Sequence, residues 1–167
     1  LNVMLPFVRT VEEVKEITAM MESVGLRRGR DFKLYFMAEI PANIFMADEF
    51  CKYCDWFSIG SNDLTQLVMG CDRDSDILGH MGYFDERQDA VKRAISHLIK
   101  VAHENGRHVS ICGQAPSVYP EFTEFLVEQG IDAISLNPDT FNKTKRIIAS
   151  AEQRVLLRDL RELRQKL

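Results

Sequence analysis

Apolar residues gather into five short runs along the chain, at residues 3–8, 33–38, 56–59, 108–112 and 133–136, each rich in β-branched, aromatic or aliphatic side chains. Each run gives way to a turn and then to apolar positions spaced three and four residues apart, so the pattern predicts repeated strand-helix units. The runs lack strict polar alternation, which suits strands covered on both faces. That predicts an α/β fold with a parallel sheet and helices outside it.

The helix boundaries carry their own punctuation. Thr10 is followed three residues later by Glu13, the spacing of a capping box. Val14, Ile17, Met20, Met21 and Val24 then continue at helical spacing to a stop at Gly25. Further helices are predicted over residues 41–52, 86–104, 119–129 and from Thr140 onward, with Gly106 and Gly130 just beyond two of them. Residues 151–167 read as an amphipathic helix with Leu156, Leu157, Leu160, Leu163 and Leu167 on one side, packed on the same domain or serving as an oligomer contact. Residues 70–88 have no clean period, mix charges with Gly79 and Gly82, and read as an active-site loop.

Composition narrows the functional classes. A chain of 167 residues with 46% hydrophobic content can bury a core as one domain. A net charge of -4 offers no footprint for nucleic acid or an anionic membrane, so a small-molecule or protein partner is expected. No apolar run reaches the roughly 20 residues of a bilayer span, and no signal peptide is readable, which makes cytoplasmic the default expectation. Cys51, Cys54, Cys71 and Cys112 are too sparse for a disulfide framework and are expected as thiols, with the lone Cys51/Cys54 pair unable to complete a zinc site. The chain runs from Leu1 straight into a strand-like segment, which suggests a cut inside a domain.

Three places combine chemistry with a strand end. Glu39 closes an apolar strand just before Pro41, where it serves either a ligand or the dipole of the next helix. In the segment Ser58-Ile59-Gly60-Ser61-Asn62-Asp63, Gly60 permits close backbone approach and a new helix N-terminus can hold an anion, while Ser61, Asn62 or Asp63 equally suit an N-cap. On neighbouring strands, Glu39 and Asp63 can converge on one hard cation such as Mg2+. Cys112, beside Gly113 at a strand end, is either a structural thiol or a proton donor.

Taken in order, MLPFVRT from Met4, MAEIPAN from Met37, FSIGSNDLTQL from Phe57, DRDS from Asp72, ICGQAPS from Ile111 and ISLNPDT from Ile134 resemble the PEP-utilising enzyme family over residues 3–145. The PFVRT and CGQ-x-PS forms are most similar to its phosphoenolpyruvate synthase branch. Pyruvate phosphate dikinase, enzyme I of the sugar phosphotransferase system and a non-catalytic binding module remain the alternatives. The resemblance implies a fold: residues 1–150 as the C-terminal portion, about five βα units, of a TIM (β/α)8 barrel, which takes eight units and about 250 residues when closed. It implies that Glu39 and Asp63 ligate Mg2+, that Glu39, Gly60, Ser61, Asn62 and Asp63 line a phosphoenolpyruvate/pyruvate pocket, and that Cys112 protonates the enolate carbon. It also implies partner domains, one binding ATP and one carrying a phosphohistidine, and phosphate-binding arginines on earlier strands. A fragment without those parts is expected to be inactive alone. An open five-strand piece exposes two sheet edges and apolar side chains, so a homo-oligomer, or coverage of the edges by the long helices, is expected.

Overall fold

The computed structural model describes residues 1–166. Strands β1 (Asn2–Leu5), β2 (Lys33–Ala38), β3 (Trp56–Gly60), β4 (His108–Cys112) and β5 (Ala133–Ile134) form one parallel sheet in sequential order. The intervening helices are α1 (Val11–Ser23), α2 (Pro41–Phe45), α3 (Ala47–Cys51), α4 (Ser61–Met69), α5 (Asp76–His80), α6 (Asp89–Glu104), α7 (Ala115–Val118) and α8 (Pro120–Glu128), with α9 (Phe141–Gln165) closing the chain. Sequential parallel neighbours joined by helices are what an open arc of a βα barrel requires, and the α/β expectation with five units holds.

The register divides each strand into two faces. Leu34, Phe36 and Ala38 on β2, Phe57 and Ile59 on β3, and Val109 and Ile111 on β4 are buried against Val14, Ile44, Phe50, Val91, Ile95, Leu98 and Phe122 of the helices. The opposite face carries layers instead. Met4, Tyr35, Trp56 and His108 share one register position, with Tyr35 stacked on Trp56 at 5.7 Å and Trp56 against His108 at 4.8 Å. Met37, Ser58, Ser110 and Ala133 form the next layer. The expectation of strands covered on both faces is therefore corrected on β2: helices bury Leu34, Phe36 and Ala38, while Tyr35 and Met37 on the other face stay half-buried.

Local chemistry explains where the elements stop. At α1 the capping box is present, with the Glu13 N–H donating to Thr10 Oγ1 at 3.1 Å and the Thr10 N–H donating to Glu13 Oε2 at 3.2 Å. Strand β1 ends at Leu5, short of residue 8, because Pro6 lacks an N–H and Phe7 turns into the left-handed region at φ 52°. The helix expected over residues 41–52 is two short ones, broken at Met46. Helix α6 starts at Asp89 instead of residue 86, since Asp85 Oδ1 accepts the Arg87 N–H at 2.8 Å and closes a turn that excludes helix. The last strand shortens to Ala133–Ile134, and the 70–88 segment holds α5, capped by Ser75.

Helix α9 runs unbroken through residues 150 and 151. Its Leu156, Leu157, Leu160 and Leu163 are 53–62% exposed, while Leu167 lies outside the described residues. All four cysteines are free. Cys51, Cys54 and Cys71 are buried; burial pushes the Cys51 thiol up to about 11 and the Cys54 thiol higher still, which leaves both as protonated core side chains. Among the described residues, no helix is long and apolar enough to cross a membrane.

Candidate active site

The layered face ends in chemistry at the carboxyl edge of the sheet. Gly60 and Cys112 are register partners, and Glu39 follows Ala38, the partner of Ile59, so all three share one rung on three adjacent strands. Parity places them on the face of Tyr35, Trp56 and His108 and away from the helices. Edges of this kind, at the C-terminal ends of parallel strands, are where barrel and open α/β folds build their sites.

Glu39 is 2% exposed. Its Oε1 accepts the Phe7 N–H at 2.9 Å, and the left-handed turn at Phe7 is what aims that N–H at it. Asn43, fully buried, ties the same corner: its Oδ1 accepts the Glu39 N–H at 3.3 Å and its Nδ2 donates to Val8 O at 2.7 Å. Burial raises the Glu39 carboxyl above the ordinary glutamate range, the Phe7 N–H opposes this, and the nearby Asp63 charge adds to the rise.

Gly60 is where Glu39 packs onto the sheet. A Cβ there would stand 2.7 Å from Glu39 Oε2 and 2.9 Å from Glu39 Cβ, so only glycine leaves the carboxylate its place. Helix α4 begins at once, carrying Ser61 (buried), Asn62 and Asp63 (both half-buried) in its first turn. Arg73 of the 70–88 loop brings its guanidinium 3.8 Å from Asp63. Among the described residues, no three His, Cys, Asp or Glu side chains cluster as a metal site, so Glu39 and Asp63 stand as a pair of carboxylates.

Cys112 is the one half-exposed cysteine. Its Sγ lies 3.6 Å from the Ser58 hydroxyl, which donates to it, and 3.5 Å from Ile59 O. The Ser61 hydroxyl lies 3.3 Å from Cys112 O and bonds the carboxylate of Glu86. Glu86 was missed in the sequence, where it reads as the first residue of a helix; it is instead 7% exposed and turned into the site. Burial raises its carboxyl, against the Ser61 hydroxyl and the Ala115 N–H that bond it. Gly113 completes the packing, because a Cβ there would collide with Ser61 Oγ and stand 3.0 Å from Glu86 Oε1.

Glu39, Gly60, Ser61, Asn62, Asp63 and Cys112 thus stand at one edge of the sheet, on the ends of β2, β3 and β4 and the first turn of α4.

The fold compares with solved structures on shape alone. RipC from Yersinia pestis matches with a TM-score of 0.59 at 12% identity over 88% of this chain and 63% of that one. A citrate lyase from Burkholderia xenovorans matches at 0.57 and 18% identity, over 90% of this chain and 48% of that one. Sequence relatives are far nearer. A probable phosphoenolpyruvate synthase of Staphylothermus marinus is 56% identical over 165 residues, and a phosphoenolpyruvate synthase of Aeropyrum pernix is 58% identical over the same length, each covering 99% of this chain. The phosphoenolpyruvate synthase of Escherichia coli is 48% identical over 144 residues, 86% of the chain. The chain spans only 18–20% of these relatives' own length. Residues 1–153 match the family model described as PEP-utilising enzyme, PEP-binding domain. With that match laid over a parallel sheet whose carboxyl edge gathers Glu39, Gly60, Asp63 and Cys112, the chain belongs to the PEP-utilising enzyme family and carries its PEP-binding domain.

Proposed function

We propose that this chain supplies the Mg2+-dependent phosphoenolpyruvate/pyruvate site of a phosphoenolpyruvate synthase, the enzyme that converts ATP, pyruvate and water to phosphoenolpyruvate, AMP and phosphate. The observation that carries the reading is the rung of Glu39, Gly60 and Cys112, continued by Ser61 and Asp63 on the helix that Gly60 opens.

Two carboxylates without nitrogen or sulfur ligands fit Mg2+, which takes one or two carboxylates and completes its shell with water and ligand oxygens. The raised carboxyl of Glu39 fits as well, since a cation beside it offsets both its burial and its repulsion by Asp63. Glu39 and Asp63 would hold the ion. Its chemistry there is to stabilise negative charge developing on pyruvate's oxygens.

The chain's own groups do the rest. The N–H groups at the start of α4 face the anionic substrate, and Gly60 lets it approach the backbone. The Cys112 thiol gives its proton to the methylene carbon of the enolate when pyruvate forms, and the thiolate takes one back from the methyl group in the synthetic direction. Ser58 donates to the sulfur and holds it in place at the edge of the sheet. Once formed, the enolate oxygen attacks a phosphohistidine phosphorus and the histidine nitrogen leaves. The phosphohistidine and ATP-binding domains, together with the phosphate-gripping arginines, belong to parts of the parent enzyme outside this chain, which alone is inactive in this reading. Cytoplasmic location and self-association through the exposed leucines of α9 complete the proposal.

Calorimetry with oxalate, an enolate mimic, tests it in the natural protein. Oxalate should bind with Mg2+ present and lose its heat on chelation or in Glu39→Gln and Asp63→Asn. Equal heats with and without Mg2+ would sink the reading.

A further inference from the structure

Glu86 stands out once the site is built. It is a carboxylate 7% exposed and bonded by the neutral Ser61 hydroxyl, and among the described residues no cation pairs with it. A buried carboxylate held only by neutral donors costs stability, and an apolar residue of similar size would pack there without that cost. Its place explains its presence. Glu86 lies near the end of the 70–88 loop, bonds Ser61 in the first turn of α4, and has its Oε1 3.0 Å from where a Cβ on Gly113 would stand, next to Cys112. The Ser61 hydroxyl lies in turn 3.3 Å from Cys112 O.

The flanking residues pin the loop end to the rest of the fold. Arg87 pairs with Asp85 at 2.8 Å and Glu121 at 3.2 Å, and its guanidinium lies 3.8 Å over the Tyr119 ring. Glu86 is thereby held beside the ends of β3 and β4, where Ser61 meets Cys112 O.

We propose that Glu86 is a positioning residue, which fixes Ser61 and the Cys112–Ala115 turn relative to each other and latches the 70–88 loop over the site. Its effect on turnover rests on the phosphotransferase reading; its effect on Cys112 does not. Removing the carboxylate frees the Ser61 hydroxyl and empties the space beside Gly113 together, and Cys112 becomes more open to solvent.

The test is alkylation of the natural protein by iodoacetamide, followed by mass spectrometry at each cysteine, with buried Cys51, Cys54 and Cys71 as internal controls. Glu86→Ala should raise the Cys112 rate at least fivefold and leave the other three unchanged. Glu86→Gln should stay within twofold of the native rate. Its side chain fills the same space beside Gly113 while its NH2 donates to the Ser61 hydroxyl, so the link to Ser61 survives with the proton reversed. Ser61→Ala opens the same latch from the other side and serves as the second variant: its rate should rise as in Glu86→Ala, and the double variant should go no further. Turnover gives the second readout, with kcat at least tenfold lower in Glu86→Ala and KM within threefold. A Cys112 rate that is unchanged in Glu86→Ala, equal in the Ala and Gln variants, or multiplicative in the double variant overturns the proposal. A natural protein that binds no oxalate overturns the phosphotransferase reading instead, while the alkylation ratios still decide on Glu86.

Discussion

Replacing Gly60 by alanine perturbs the site at its tightest point. The Gly60 backbone, at φ -84° and ψ 82°, is open to any L residue, so the cost is steric. The new methyl would meet Glu39 Oε2 at 2.7 Å, Glu39 Cβ at 2.9 Å and Met37 Cε at 3.2 Å. Met37 can swing its terminal methyl aside, but Glu39 Cβ is fixed to the backbone of β2, and carbon atoms pack at roughly 3.5–4 Å. Either the strands part or Glu39 rotates off the Phe7 N–H. Overpacking costs about 1–3 kcal/mol and the lost charge-assisted bond about 1.5–3 kcal/mol; the two overlap, so about 2–5 kcal/mol is expected. Urea unfolding reads this as a lower midpoint with an unchanged slope, and the oxalate heat should fall with it. Gly79→Ala is the control, because nothing lies within 4 Å of its Cβ position in α5, and helix propensity predicts a gain of up to about 1 kcal/mol. A Gly60→Ala protein as stable as the native one would refute the packing of Glu39 on Gly60.

Three further outcomes follow from the fold. Asp132 accepts from His103 at 2.9 Å, the Val109 N–H at 2.8 Å and His108 at 3.1 Å; burial alone would raise its carboxyl, but these bonds outweigh it and hold it below the usual aspartate range. A depressed folded pKa gives stability above the unfolded value that is lost as pH falls through the folded one. Asp132→Asn should therefore cost about 1–3 kcal/mol at neutral pH and progressively less in acid, and a loss independent of pH in urea unfolding would count against it. Phe122→Ala empties a fully buried site and should cost about 3–5 kcal/mol by the same measurement. Leu160→Arg places a charge in the exposed leucine face of α9 and should lower the sedimentation coefficient of the natural protein; an unchanged value would place self-association elsewhere.

Much of the fold was legible because it is local. β2 and β4 run over the residues that the apolar pattern marks, and the capping box at Thr10 and Glu13 forms as its spacing predicts. The two faces of the sheet were legible too, but only by comparing strands. Tyr35, Met37 and Glu39, then Trp56, Ser58 and Gly60, then His108, Ser110 and Cys112 repeat one order on alternate positions: a ring, a small or flexible side chain, a site residue. No single strand shows this, because Tyr, Met and Trp count as apolar in any one run. A shift of one residue in register would turn Ala38, Ile59 and Ile111 to the site and bury Glu39 and Cys112 among the helices.

The 70–88 loop shows where local reasoning ends. Its DER sequence before an apolar period reads as a helix start, because acidic residues favour the first turn. What overrides it is the bond from the Arg87 N–H to Asp85, together with an arginine stacked on Tyr119, thirty-two positions further on. That stacking partner follows β4 in the chain, so nothing local to Glu86 marks it as turned inward. The residue that ties Ser61 to the Cys112 turn is thus placed by contacts 25 to 34 positions apart. The strand ends fix where Glu39, Gly60 and Cys112 stand, and the 70–88 loop, through Glu86, fixes how Ser61 and the turn beyond Cys112 face one another.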